Sequence, residues 1–573
     1  MNHRPSRSPA SPLPGRFFLW FAASISWTLL GCTSRHQAEA DKEYFTDVTA
    51  AVTRTTEVPL KWPDGRYQAH EMSGTGLALL DYDVDGDLDI YQVCAPPPDR
   101  PQDPAPNRLY QQQTDGSFLE VPGASGLADG GYGYGVAIGD VEGDGDADVF
   151  VANLHADTLC LNGGGGNFSA AGNEVGILGD HWSSSAAFFD YDRDGDLDLY
   201  VSRYAIDNPA LSCKRGIAAK RDYCGPQSYL AAQDALYRNQ GDGTFVDASR
   251  VSGIHHLRRG LGVVCVDFTG DGWVDIFVAN DMDANLLYVN QGDGTFVDEA
   301  LARGVAVDGA GAAEASMGVA LGDVNGDGRF DLFMTHLVDQ TNTLYVTDAG
   351  PGQFADRSTS SGLGRPSLQL TGWGCGFVDF DHDGTLDLAV VNGRVARGPV
   401  LPGADVGNFW NDYAEPNQLF LKQEDGRFAD RSSQGGDFTA RVEVSRALAF
   451  GDLDRDGDVD LVMTNLDNSL RVFRNDAPKR GQHWLQVRAK TGKRDALGAL
   501  ITIEAGGIRQ MRWLITSYSY QVANEPVVHF GLGAATKIDF IEILWPDGSR
   551  ERFPPAGVDQ VVILRQGEGT TRT

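Results

Sequence analysis

The segment DYDVDGDLD, Asp81 to Asp89, decides the fold, because the same nine-residue pattern returns six more times along the chain. The copies are DVEGDGDAD from Asp140, DYDRDGDLD from Asp190, DFTGDGWVD from Asp267, DVNGDGRFD from Asp323, DFDHDGTLD from Asp379 and DLDRDGDVD from Asp452. All fit D-x-(D/N/E/T)-x-D-G-x-x-D, and successive starts lie 59, 50, 77, 56, 56 and 73 residues apart. A period of this size marks a repeat architecture. Around each loop the same grammar recurs: apolar strand, acidic loop, second strand, third strand, then in most repeats a D-G turn and a fourth strand of the type Gly-Thr-Phe-x-Asp, as at Gly243 to Asp247 and Gly294 to Asp298. Four short strands per unit predict the blades of an all-β, seven-bladed β-propeller. The seventh repeat ends at Asn468 to Asn475 with no fourth strand of its own, while Tyr44-Phe45-Thr46-Asp47 supplies a matching one before the first loop. The N-terminal strand is therefore expected to complete the last blade and close a ring over residues 44–476.

The loops carry their own chemistry. Alternating carboxylates on a tight turn supply the six to eight oxygen ligands that calcium requires, and the glycine at position six permits the sharp bend. The expected ligands at positions one, three, five and nine are Asp81, Asp83, Asp85 and Asp89; Asp140, Glu142, Asp144 and Asp148; Asp190, Asp192, Asp194 and Asp198; Asp267, Asp271 and Asp275; Asp323, Asn325, Asp327 and Asp331; Asp379, Asp381, Asp383 and Asp387; and Asp452, Asp454, Asp456 and Asp460. Loop four has Thr269 and loop five Asn325 at position three, so weaker binding is expected there. The formal charge is −32, and up to seven Ca2+ ions would offset part of it. Such a surface argues against nucleic acid or an anionic membrane surface as partner.

The N-terminus reads as an export signal. Arg4, Arg7 and Arg16 precede the apolar run Phe17 to Leu30, too short for a spanning helix, and Leu29-Leu30-Gly31-Cys32 follows. That ending resembles a bacterial lipobox, which implies a signal peptide over 1–31, lipidation at Cys32, a polar tether over 32–43 and a cell-envelope, outer-membrane or surface location. Six further cysteines suit an oxidising compartment. Cys213 and Cys224 bracket one short insertion and are expected to pair; Cys94, Cys160, Cys265 and Cys375 are left open between buried thiols and bridges.

The loops and their flanking strands resemble the FG-GAP/VCBS repeats of integrin-α-like propellers. His483-Trp484-Leu485, Gly498-Ala499, His529 to Gly533 and Ile543 to Gly548 resemble the ASPIC/UnbV domain that closes proteins of the cartilage-acidic-protein family, and Tyr223-Cys224-Gly225-Pro226 resembles its bacterial branch. Residues 482–567 read independently as a small β-sandwich-like domain. The resemblance implies calcium binding and extracellular interaction with no established reaction.

Acidic loops join strands one and two, whereas the enlarged connections at about 204–233 and 393–416 join strands two and three, so the insertions belong on the opposite face. Tyr204, Arg394, Arg397, Trp410 and Tyr413 there are the candidate contacts for a protein or polysaccharide partner, as in an adhesion-type module. The alternative is a carbohydrate-active hydrolase or lyase on the same scaffold. No G-x-S-x-G, H-E-x-x-H or P-loop occurs, and His70, His155, His181 and His336 read as ordinary strand or loop histidines.

Overall fold

The computed structural model describes residues 43–53, 64–97, 105–171, 175–177, 179–215 and 220–571. The expected signal peptide, Cys32 and all but the last residue of the tether lie outside the described residues. Seven four-stranded antiparallel blades follow in order, and in every one the second strand begins on the ninth residue of the acidic motif: Asp89, Asp148, Asp198, Asp275, Asp331, Asp387 and Asp460. The first strands of successive blades touch one another, blade one to two and on to seven, and blade seven returns to blade one. The ring is closed, and the fold is a seven-bladed β-propeller. Blade seven receives its outer strand from the N-terminus, where Phe45–Asp47 pairs antiparallel with the end of Leu470–Asn475, Phe45 opposite Asn475.

Strand chemistry explains the stacking. In blade four, Asp275–Asn280 is buried at every position. Ile276 and Val278 join the core shared with blade three, while Phe277 and Ala279 join the core shared with blade five. A period of two with both faces apolar can be satisfied only by neighbours on both sides, which is the geometry of a ring of blades. The fourth strands alternate differently. Phe296–Asp298 is buried, exposed, intermediate, as suits an outer edge.

Residues from His483 onward form two sheets around a separate apolar core that includes Leu485, Ile501, Phe530, Ile541 and Trp545. This sandwich sits on the acidic-loop side of the ring. Its Gln486 Nε2 donates to Asp452 Oδ2 (2.8 Å), Lys493 Nζ to the Asp144 carbonyl (3.1 Å) and the Gly533 N–H to the His382 carbonyl (2.8 Å).

The crossover between the two sheets, roughly residues 515–527, enters the axial channel. Val522–Ala523 adds a parallel strand inside Leu77–Leu80 of blade one. Ser519 bridges to Val319 of blade five; its hydroxyl accepts from the Cys375 N–H of blade six (3.0 Å) and donates to the Leu448 carbonyl of blade seven (2.8 Å). Asn524 Oδ1 accepts from the Phe450 N–H at 3.0 Å. Tyr520 is fully buried with its ring 4.9 Å from that of Trp373, and its hydroxyl donates to the Ser73 carbonyl. The strap satisfies inner-strand groups of four blades.

Removing the centre of this plug leaves a cavity bounded by blades that cannot collapse inward. Tyr520→Ala is expected to lower unfolding free energy by about 3–5 kcal/mol, against under about 0.5 kcal/mol for the exposed Leu301→Ala. Equal effects in denaturant titrations would show that the crossover does not brace the ring.

Candidate metal centres and the opposite face

Each acidic loop is folded by its own carboxylates. At position one, a carboxylate oxygen accepts the N–H of the position-six glycine in all seven loops, at 2.7–3.1 Å. At position five, Oδ1 accepts the N–H of position seven, again in all seven, at 2.8–3.1 Å. The ninth carboxylate reaches furthest. One oxygen takes the N–H of position two in its own loop, as Asp198 takes Tyr191, and the other takes an N–H near the end of the third strand, as Asp198 takes Asn239 (2.9 Å). Asp89, Asp148, Asp275, Asp331, Asp387 and Asp460 repeat both bonds.

Position four divides the loops. The residue there has a left-handed backbone everywhere: Gly143, Gly270 and Gly326 in loops two, four and five, but Val84, Arg193, His382 and Arg455, with φ of 58–63°, in loops one, three, six and seven. A side chain costs roughly 1–2 kcal/mol in that conformation, which glycine avoids. In the three glycine loops the second oxygen of the first aspartate is occupied by backbone: Asp140 Oδ1 by the Asp144 N–H (3.1 Å), Asp267 Oδ1 by Gly270 (2.6 Å), Asp323 Oδ1 by Gly326 (2.8 Å). In the other four, Oδ1 of Asp81, Asp190, Asp379 and Asp452 is buried and accepts nothing. These same loops gather three carboxylate oxygens within 4.8 Å of one another: Asp81, Asp83 and Asp85; Asp190, Asp192 and Asp194; Asp379, Asp381 and Asp387; Asp452, Asp454 and Asp460. An all-oxygen set with buried, donorless oxygens is one that could hold a hard dication such as calcium, which would supply the missing positive charge. Loop two, despite its full set of acids, shares the geometry of loops four and five; the sequence signal was Gly143 rather than the count of carboxylates.

Burial dominates the protonation of these groups. It pushes Asp89 up to about 8, Asp198 to about 9, Asp148, Asp275 and Asp331 to about 7, and Asp387 and Asp460 well above the usual range. Basic side chains of the C-terminal domain provide some compensation, Arg488 toward Asp81 and Arg512 toward Asp379 and Asp323. Nothing in the repeat pattern announces those two arginines.

On the opposite face Cys213 and Cys224 are joined in a disulfide, and Cys94, Cys160, Cys265 and Cys375 are buried thiols. The five candidate contacts turn inward. Tyr204 donates to Asp281 (2.8 Å); Arg394 pairs with Glu415 (3.0 Å); Arg397 pairs with Asp412 (2.9 Å); Trp410 is buried; and Tyr413, fully buried, donates to Asp222 (2.8 Å). Tyr413 ties the two insertions together through Asp222, and Tyr204 lines a cleft whose other lining residues include Trp373 and Tyr520. Of the histidines, His70 stands against Tyr132 and Trp182, His155 pairs with Asp180, His181 neighbours Arg203 and the same aspartate, and His336 is buried against Ser316 and Glu314.

A closed ring of acidic-loop blades, plugged and capped from one side and open on the other, defines a propeller-type binding module. The chain belongs to the FG-GAP-like repeat family, whose model matches residues 81–151, 140–201, 225–278, 267–334 and 323–390, and residues 489–571 match the ASPIC and UnbV domain. It is similar to cartilage acidic protein 1 of Xenopus tropicalis, 28% identical over 73% of this chain and 62% of that one, and to its counterpart in Homo sapiens, 25% identical over 82% and 69%. The chain thus spans about 62–70% of the length of these relatives. Among solved structures, YCF48 bound to D1 peptide aligns with a TM-score of 0.39 at 6% identity over 72% of this chain and 94% of that one. An Agrocybe aegerita lectin recognising non-reducing terminal N-acetylglucosamine aligns at 0.36 and 16% over 65% and 85%. Likeness at these scores carries no argument about ligand.

Two outcomes follow from the carboxylates. Asp275→Asn in chelator orphans one of the backbone N–H groups it holds and should lower stability by about 1–3 kcal/mol, whereas Asp271→Asn, at the rim, should change it by under about 0.5 kcal/mol. The raised carboxylates bind protons more tightly folded than unfolded, so their stabilisation is full below about pH 4 and is lost as pH rises through 7–9. Metal-free protein should therefore melt at progressively lower temperature between pH 6 and 9; a rising or flat profile in chelator would contradict the desolvation argument.

Proposed function

We propose that the chain is a calcium-loaded, extracytoplasmic binding module, tethered through a lipid on Cys32, that recognises a protein or polysaccharide partner on the face opposite its acidic loops. The observation that carries the calcium reading is the donorless, buried Oδ1 of Asp81, Asp190, Asp379 and Asp452 in the four loops whose carboxylates converge. Folding such oxygens away from water without a counter-charge is costly, and a bound dication removes that cost. Each ion at ~100 times its dissociation constant adds roughly 2.7 kcal/mol to the folded state. Calcium is thus a structural component of the ring rather than a reactant.

The placement of recognition rests on which surface is left. The C-terminal domain rests on the acidic-loop side and its crossover enters the channel, so the insertion face is the one that domain leaves uncovered. The Cys213–Cys224 disulfide, which braces one insertion, suits an exported protein, as the N-terminal sequence does. Among the described residues no helix is long and apolar enough to cross a membrane.

Calcium titration of chelated protein by calorimetry tests this reading. We expect two classes of uptake, four ions held tightly by loops one, three, six and seven and a weaker class in loops two, four and five, with the melting temperature rising by more than about 10 °C. Asp190→Asn should remove one ion from the tight class, and Asp140→Asn none. No uptake, with an unchanged melt, would falsify the calcium reading and leave the loops as turns.

A further inference from the structure

Residues 213–224 run against the charge of the whole chain. The net charge is −32, yet this segment carries Lys214, Arg215, Lys220 and Arg221 against one acid, Asp222. It folds as a ribbon of two antiparallel strands, Cys213–Arg215 and Lys220–Asp222, with Lys214 opposite Arg221 and Arg215 opposite Lys220. Like charges directly opposite one another destabilise a strand pair. Lys214, Lys220 and Arg221 are exposed, and among the described residues none of the three has an ion-pair partner.

A rigid frame enforces this arrangement. The Cys213–Cys224 disulfide closes the base of the ribbon, and the buried Asp222 accepts the Tyr413 hydroxyl at 2.8 Å and the backbone N–H groups of Tyr223 at 2.9 Å and Arg397 at 3.1 Å. Beside it the Arg221 guanidinium lies 5.2 Å over the ring of Tyr67, whose backbone is left-handed at φ 66°. A strained residue and a like-charge pair each cost stability, and pre-organised binding sites are where such costs are kept.

Fixed, exposed cations that no acid of the chain neutralises are complementary to an anion from outside it. At physiological salt, charges more than about 8 Å away are largely screened, so the ribbon acts as a local patch in spite of the net charge. Successive strand residues point to opposite faces, which puts Lys214 and Arg221 on one face of the ribbon and Lys220 on the other. A folded acidic protein would meet only one of those faces, whereas a flexible chain of repeated carboxylates reaches both. Strands of three residues offer little edge for a peptide to add to, and the exposed side chains of the ribbon are cations rather than apolar anchors. A polysaccharide with a carboxylate on each ring needs neither, and the Arg221 guanidinium suits a carboxylate bidentately.

We propose that this ribbon is a binding site for an acidic polysaccharide, a chain of carboxylate-bearing sugars, with Lys214, Lys220 and Arg221 as its contacts. The proposal rests on the reading of the insertion face as the recognition surface, names the class of partner, and does not depend on which ion occupies the acidic loops.

The test is calorimetry on the whole chain at fixed calcium and about 0.15 M salt, with hexagalacturonate, its neutral methyl ester and hexaglutamate as probes. Hexagalacturonate should bind saturably and at least about tenfold more tightly than the ester. Combining Lys214→Gln, Lys220→Gln and Arg221→Gln should remove that advantage, whereas the same change at the exposed Arg427, Arg509 and Lys537 should leave affinity within about twofold. Equal binding of acid and ester overturns the site, and so does an equal loss in the control variant, which would trace the effect to net charge alone. An advantage that survives in the ribbon variant overturns the site without refuting recognition elsewhere on this face. Hexaglutamate binding as tightly as hexagalacturonate overturns the polysaccharide assignment. Calcium uptake reports folding of both variants; should the ribbon variant lose it, the acid-to-ester ratio of the unaltered chain decides. Failure with uptake intact leaves the calcium reading standing.

Discussion

The carboxylate at the ninth position of each loop is the interaction on which the rest of the structure depends. It is buried, it accepts a backbone N–H from its own loop and another from the third strand, and it does so in every blade. Those bonds fix where strand two begins and how strand three returns, and in loops one, three, six and seven carboxylates converge beside them. The arrangement holds charge in a region of low dielectric, where an unpaired carboxylate is expensive. A chain that uses buried carboxylates as fold-defining acceptors must offset their charge, by a raised protonation range or by nearby positive groups such as Arg488 and Arg512.

Much of this is legible in the sequence because the repeat presents the same local problem seven times. The motif, the blade-sized spacing and the displaced strand at Tyr44 to Asp47 all rest on short-range rules of strand alternation and turn chemistry, and the ring follows from them. The division among loops was half legible. Thr269 and Asn325 point to two atypical loops, but Glu142 looks like a full ligand, and only the adjacent Gly143 signals that loop two closes on its own backbone. What the chain does not announce is long-range. Thr516 to Asn524 carries no repeat motif, and its burial is possible only because inner strands of four blades offer the hydrogen bonds it lacks locally. Tyr413 looks like a surface contact for the same reason: Asp222, which accepts its hydroxyl, comes from the other insertion.

The two faces consequently serve different ends. One is committed to internal architecture, since the C-terminal domain rests on the acidic loops so closely that a side chain at Gly531 would collide with the Asp379 carboxylate. The other keeps a small aromatic cleft whose walls include the plug itself. Tyr520 thus belongs to both, anchoring the crossover in the channel and lining that cleft.

The strand that completes blade seven has a consequence for biosynthesis. Phe45–Asp47 is the first blade element to leave the ribosome, and its partner, Leu470–Asn475, is among the last parts of the propeller to be made. Until then the nascent polypeptide exposes two unpaired sheet edges, the liability that full closure otherwise removes. Joining such distant segments also carries a loop-closure penalty that rises with the logarithm of their separation. Ring closure is thereby postponed to the end of translation or beyond it, and a product truncated anywhere before residue 470 cannot mature into a sealed propeller, whatever the quality of its individual blades.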